Sequence, residues 1–317
     1  MHLGHLFLLG STILAPGTAL AVPAYTVTDL GTLGGVFSGG GGINANGQVT
    51  GSSSTAAGDI HAFLWDPAAG MRDLGTLGGV FSGGGGINAS GQVAGTSETA
   101  DGLVSPFLWD PATGMRDIGG GFPGGSGADI NARGQVSGYV ANGGTHGFRW
   151  DPVSGLQELG SLTGGDTGFS TAGTGINDRG QVTGDSETTD GVNRAFLWDP
   201  VTGMQDLGTL GGGGSAGIDI NDSGQVTGAS DTTIGFTHAF LWAPAIGMQD
   251  LGTLGGTFSV GNGINGGGHI TGTSTTTDGD EAAFLWNGAG LLDLNDLIPA
   301  GSGWTLLNGN GAIAEFG

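Results

Sequence analysis

The sequence predicts an all-β protein, a β-propeller of four-stranded blades, on three observations. A unit of about 44 residues recurs six times, marked by Ile43-Asn44, Ile87-Asn88, Ile130-Asn131, Ile176-Asn177, Ile220-Asn221 and Ile264-Asn265. A fixed period in this range marks a repeat architecture. Each unit carries two tight-turn signals, hence two hairpins or four short strands, which is the size of a propeller blade. Helix signals are almost absent: glycine supplies 74 of 317 residues, and each would cost a helix roughly 1 kcal/mol relative to alanine. The rival architecture, a β-solenoid, has coils usually shorter than this unit, and tight hairpins suit a propeller better.

The second unit shows the elements in order. Strand A ends at Ile87-Asn88, and strand B begins at Gln92-Val93. Between them Gly91 supplies the positive φ that hairpin loops demand. Its counterparts are Gly47, Gly134, Gly180 and Gly224, with Gly267 expected in the last unit. After a polar B–C loop comes strand C, Phe107-Leu108-Trp109, then the turn Asp110-Pro111 to Gly114, in which proline presets one corner and glycine completes the other. Strand D follows at Met115 to Ile118. Phe and Trp at i and i+2 of strand C point to one face. Burying that pair at each blade interface would supply several kcal/mol per blade, at about 25 cal/mol per Å2. The residue between them is Leu in five units and Arg149 in the third, which suggests that the middle face is less buried or that Arg149 meets a carboxylate.

Strand D recurs seven times, the first as Tyr25 to Leu30. Its blade would have to begin at the C-terminus, where Gly311 to Gly317 mirrors Gly-x-Ile-Asn-x-x-Gly with Ala314 in place of Asn. The expectation is six complete blades plus an incomplete seventh, in a single repeat domain over residues 22–317. Residues 1–21 hold an uncharged apolar stretch ending in Ala19-Leu20-Ala21, the pattern of a cleaved secretory signal peptide, though no Lys or Arg precedes it. No later segment is apolar and long enough to span a membrane.

The units read His-Ala-Phe-Leu-Trp-Asp-Pro…Gly-Met-x-Asp-Leu-Gly…Ile-Asn-x-x-Gly-Gln-Val-x-Gly, with the opening step at His61-Ala62-Phe63 and His238-Ala239-Phe240. Over about residues 25–317 the chain thus resembles the HAF-repeat family of secreted bacterial proteins. The resemblance implies an extracellular, cell-surface or secreted location and a repeat fold, and carries no activity to any residue.

Composition narrows the functions. The net charge of −22, with no lysine and six arginines, excludes nucleic acid, whose phosphates need cationic patches. Cysteine is absent, so no disulfide framework exists. Near-identical copies build a scaffold, whereas catalysis needs unlike residues brought together once. No catalytic set is legible, and the many Gly-x-Gly-x-x-Gly look-alikes are followed by no helix. The expected function is therefore a secreted, non-enzymatic scaffold binding an extracellular protein or polysaccharide through its B–C and D–A loops. The expected binding residues are Asp185, Glu187, Asp190, Asp278, Asp280 and Glu281, whose hard oxygens suit Ca2+, although none forms a dedicated calcium loop. No other cofactor is expected. The alternative is an extracellular hydrolase or lyase with a carboxylate site, Asp185 or Asp190, in the propeller channel.

Overall fold

The structure is a computed structural model; it describes residues 25–164 and 171–307, and the backbone of Leu8 and Leu9. The signal-peptide expectation (residues 1–21) and the tail match (Gly311 to Gly317) otherwise lie outside the described residues. Six antiparallel four-stranded units follow one another. In the first, strands A to D are Gly34–Ile43, Val49–Thr55, Ile60–Asp66 and Gly70–Asp73. The others span residues 78–117, 125–158, 171–206, 211–252 and 255–293. The register is regular: Ile43 opposes Val49, Val49 opposes Trp65, and Trp65 opposes Met71. Successive units join where strand C meets the next strand A, as at Ile60–Phe81 and Thr237–Phe258.

The turns are as the sequence demands, with one correction. In the sixth unit the left-handed glycine is Gly268 (φ +79°), not Gly267, and its N–H bonds to the Asn265 carbonyl at 2.9 Å. The three-residue step from Asn to Gly is kept, which Gly267 would break.

Both faces of strand C are buried, so the expectation of a less covered middle face is corrected. Between the first two blades, Ala62, Leu64 and Leu74 pack on Ile87, Val93, Phe107 and Trp109. The six Phe side chains are at most 1% exposed. Fully burying each contributes about 1.5–3 kcal/mol. Arg149 meets no carboxylate: its guanidinium lies 5.2 Å from the Trp198 ring centroid and donates to Gln157 at 3.1 Å. Arg72 and Arg116 take similar seats over Trp109 and Trp150 of the following blades, at 5.0 and 4.6 Å. Cation–π contacts across blades thus use three of the six arginines.

The polar letters of the repeat form one clamp. Asn44 Oδ1 accepts the Asn46 and Gln48 N–H groups, its amide donates to Gln48 Oε1 (2.9 Å), and Gln48 Nε2 donates to Asp66 Oδ2 (3.0 Å). The Asn44 amide also donates to the Asn88 carbonyl of the next blade, and the step repeats from Asn88, Asn131, Asn177 and Asn221 onward. Holding these groups satisfies buried polar atoms that would otherwise cost about 1–3 kcal/mol each. The Ala68 N–H and then the Gln48 amide hold the Asp66 carboxyl below its usual range. Gln92 and Gln135 lead for Asp110 and Asp151, and the Val201 N–H leads for Asp199.

After the sixth blade a short 3-10 helix, Leu294–Leu297, turns the chain. Leu297, Trp304, Leu306, Tyr25 and Val27 then cover the Ala283 and Leu285 face of that blade.

Candidate functional site

Asp29, Asp73, Asp117, Asp206 and Asp250 of the D strands each accept the N–H two residues on, at 2.7–2.9 Å. Several also meet the second residue of strand C: His61 and His238 lie 2.9 Å from Asp73 and Asp250, His146 lies 3.4 Å from Glu158, and Ser105 donates to Asp117 at 2.6 Å. The histidines are thus tied inside their own blades. Among the described residues no three His, Asp or Glu side chains gather to hold a metal ion.

The six expected binding residues do not converge. Asp185, on strand B of the fourth blade (Val182–Glu187), is half-buried and accepts the Asn193 amide at 2.8 Å, and burial raises its carboxyl. Glu187 ends the same strand, and Asp190 is exposed on the turn beyond. Asp278 and Asp280 are exposed on the B–C turn of the sixth blade and Glu281 opens its strand C, with the fifth blade between the two groups in the chain. None of the six lines either channel cavity. With the loop carboxylates spread this way, the melting temperature should move by less than about 1 °C between EDTA and millimolar CaCl2, since a ligand stabilises only by binding the native state. A calcium-dependent rise in a thermal melt would contradict this.

The channel holds the carboxylates that the sequence reading missed. A strands from all six blades line a cavity of about 270 Å3 at mid-depth, and the A–B turns line one of about 320 Å3 toward that face. The residue before Ile-Asn is Gly42, Gly86, Gly175 or Gly263 in four blades, and Asp129 or Asp219 in the other two. Asp129 accepts the N–H of Ile130 (2.8 Å) and that of Ile176 in the fourth blade (3.1 Å). Asp219 accepts the N–H of Ile220 and that of Ile264 in the sixth blade, both at 2.8 Å. Each carboxylate therefore ties its blade to the next. Both line the 270 Å3 cavity, which has no basic residue in its lining. Desolvation raises Asp129 to about 7, helped by the Asp219 charge, and raises Asp219 to about 6. Their exposed surface faces the channel interior, so they are partly accessible yet poorly solvated. The signal was present in the sequence as Asp-Ile-Asn in place of Gly-Ile-Asn.

On the opposite face, where D–A loops meet B–C turns, apolar side chains stand in solvent. Val36 is fully exposed, Val80 is 61% exposed, and Phe37, Phe81, Phe236 and Phe258 are each 37–40% exposed. Two of them sit at strand C to strand A joints, Phe81 opposite Ile60 and Phe258 opposite Thr237.

No protein-family model and no curated protein matches the chain. Solved structures do. The β-propeller domain of the Trilobed protease from Pyrococcus furiosus aligns with a TM-score of 0.58 at 10% identity, over 86% of this chain and 83% of that one. TolB from Acinetobacter baumannii aligns at 0.54 and 12% identity, over 84% and 67%. Pyrococcus horikoshii acylaminoacyl peptidase aligns at 0.54 and 10% identity over 86% of this chain, which spans about half the length of that peptidase, 46%. Likeness at such identity speaks for architecture alone: the chain has the β-propeller fold.

Proposed function

We propose that the chain is a secreted, non-enzymatic repeat scaffold that binds an extracellular partner, protein or polysaccharide, through its loop face. The observation that carries this is the set of exposed apolar side chains there, Val36, Phe37, Val80, Phe81, Phe236 and Phe258. Exposed apolar groups recurring on one face mark interaction surfaces. Phe and Val rather than Trp and Tyr, on a chain of net charge −22, favour a protein with a basic and apolar surface, since such charge attracts cationic partners. Secretion rests on the N-terminal stretch and on the likeness to HAF repeats.

A second reading, a hydrolase or lyase with its site in the channel, is supported by the raised carboxyls of Asp129 and Asp219. Both oxygens of each already accept backbone N–H groups, which favours ties between blades over a free acid or base. The test is binding of the purified chain to basic and acidic proteins and to neutral and anionic polysaccharides, with a glycan and ester turnover assay alongside. Expected is saturable binding to a basic protein, weakened several-fold by each of Phe37→Ser, Phe81→Ser and Phe258→Ser. Abolition by one substitution, or turnover lost in Asp129→Gly, would overturn the scaffold reading.

A further inference from the structure

The first, second, fifth and sixth blades begin strand A with the same bulge, and its tip differs among them. Three residues of strand A oppose one of strand B: Gly34 pairs with Thr55 and Ser38 with Ser53, so Gly35, Val36 and Phe37 bulge out against Ser54. The register repeats at Gly78–Thr99 and Ser82–Ser97, at Gly211–Thr232 and Ser215–Ser230, and at Gly255–Thr276 and Ser259–Ser274. The opposing side chain staples each bulge. Ser54 Oγ accepts the N–H groups of Val36 and Phe37 (3.0 Å each), and Glu98 Oε2 accepts that of Val80 (3.0 Å). Asp231 Oδ2 accepts that of Gly214 (3.1 Å), and Thr275 Oγ1 accepts those of Thr257 and Phe258 (3.1 Å each). The fifth blade forms its bulge with Gly213 and Gly214 at the tip, so this backbone does not need Val80 and Phe81.

In the second blade the tip belongs to a row that crosses three blades. Phe81 pairs with Ile60 of the first blade, Glu98 pairs with Val104, and Val104 meets Gly124 of the third blade. Gly124 has no side chain to lay beside Val104. Ile60, Val80, Phe81, Leu103 and Val104 are each 37–61% exposed. Asp59, Glu98 and Asp101 stand among them, and residues 54–60, 77–82 and 98–104 contain no Lys, Arg or His. The ion pairs among the described residues lie elsewhere, at Asp73, Glu158, Asp206 and Asp250. The row therefore joins apolar contact to uncompensated negative charge, on a backbone fixed in advance.

We propose that this row docks a cationic amphipathic segment of the partner protein, with its apolar residues on Ile60, Phe81 and Leu103 and its Lys or Arg side chains against Asp59, Glu98 and Asp101. The inference rests on the loop-face reading and names the chemistry of the partner there. A backbone stapled before binding lowers the ordering cost of association, and complementary charge speeds encounter and fixes register. A second copy fits poorly: the chain has no lysine, and four of its six arginines already seat over Trp109, Trp150 and Trp198 or beside Asp206. An anionic membrane is repelled by the net charge of −22.

Calorimetric titration of the whole chain with a synthetic helix-forming peptide, leucine on one face and lysine on the other, tests this. A control peptide carries glutamate in place of lysine. Expected is saturable binding of the lysine peptide and at least tenfold weaker binding of the control. Phe81→Ser should weaken binding several-fold, Phe81→Ser with Leu103→Ser at least tenfold, and Asp59→Asn with Asp101→Asn several-fold. Val153→Ser and Val201→Ser, at exposed positions on C–D turns, should leave it unchanged. Binding that ignores the Phe81 and Leu103 substitutions is attraction to net charge alone and overturns the row, as does equal binding of both peptides. Should the double serine variant fail to fold, the asparagine variant and the glutamate peptide decide. Lipid vesicles that bind the wild type but not Phe81→Ser would make the occupant a membrane surface and overturn the peptide. A basic protein bound through Phe81 without competition from the lysine peptide overturns the cationic segment alone. Binding of neither basic protein nor peptide overturns the loop-face reading as well.

Discussion

Between pH 5 and pH 8 the protein is expected to lose stability, and most of the loss should vanish when Asp129 and Asp219 are both replaced by glycine, leaving the smaller share of Asp185, whose carboxyl burial also raises. Glycine is the residue of the other four copies, so the backbone accepts it. The two carboxyls sit at about 7 and about 6 in the folded chain, against about 3.9 when unfolded. Between these values the folded state holds more protons than the unfolded one, so stability falls as pH rises. Their contribution is fully present below about pH 4 and is lost as pH passes through 6 to 7. A tenfold difference in proton affinity between the folded and unfolded chain corresponds to about 1.4 kcal/mol. The pair together should therefore move stability by a few kcal/mol, or roughly 5–10 °C in melting temperature for a chain of this size. Asp66, Asp110, Asp151 and Asp199 are shifted down and act oppositely: their contribution is present above the usual carboxylate range and lost in stronger acid. The wild-type maximum should fall near pH 4–6. Melts of both proteins at pH 5, 6, 7 and 8 decide it. The glycine variant has a different offset, because Ile176 and Ile264 lose an acceptor, so the slope is the quantity to compare. A wild type whose melting temperature climbs toward pH 8 would refute the desolvated pair.

Phe107→Ala should cost about 3–5 kcal/mol, the range for emptying a fully packed aromatic site. Phe107 is 0% exposed and touches both blades of its interface. The site cannot collapse, because the ring lies against strand B at Gly95. There a methyl group would meet the Gly83 carbonyl oxygen at 2.1 Å and the ring carbons at 2.9 Å. Gly95→Ala is accordingly a second severe change, from overfilling rather than emptying. Chemical denaturation of the two variants checks both magnitudes; a loss under about 1 kcal/mol for either would mean that the sheets can shift to accommodate it. An exposed valine such as Val201 should change stability by no more than about 0.5 kcal/mol on replacement by threonine.

The blade was legible because each letter of the repeat has a local reason. Gly91 and Gly114 fix the turns, and the Phe107/Trp109 spacing fixes the buried face. The polar letters were only half legible. Asn44 and Asp66 read as turn residues and Gln48 as the start of strand B, and nothing in their spacing announces that the three form a clamp reaching the next blade. The middle face of strand C misled through Arg149, because an arginine in a leucine column reads as exposure; its stem is buried and its head stacks on Trp198 of another blade. The channel carboxylates were missed because they replace glycine at one position of a glycine-rich strand. Their chemistry comes from six A strands converging on one axis, which no single unit encodes. The loop acids were visible because they stand out in composition, and the fold places them in two groups, on the fourth and sixth blades.

The asparagine ladder has a direction. Each amide reaches forward to the carbonyl of the following unit, from Asn44 to Asn88 and on to Asn265, and each unit offers the same acceptor to the one behind it. A unit copied in frame would find its donor and acceptor already waiting on either side. Gene duplication by whole units therefore preserves every one of these contacts, while a gain or loss of half a unit breaks two, so descendants of this gene should differ in length by steps of one repeat.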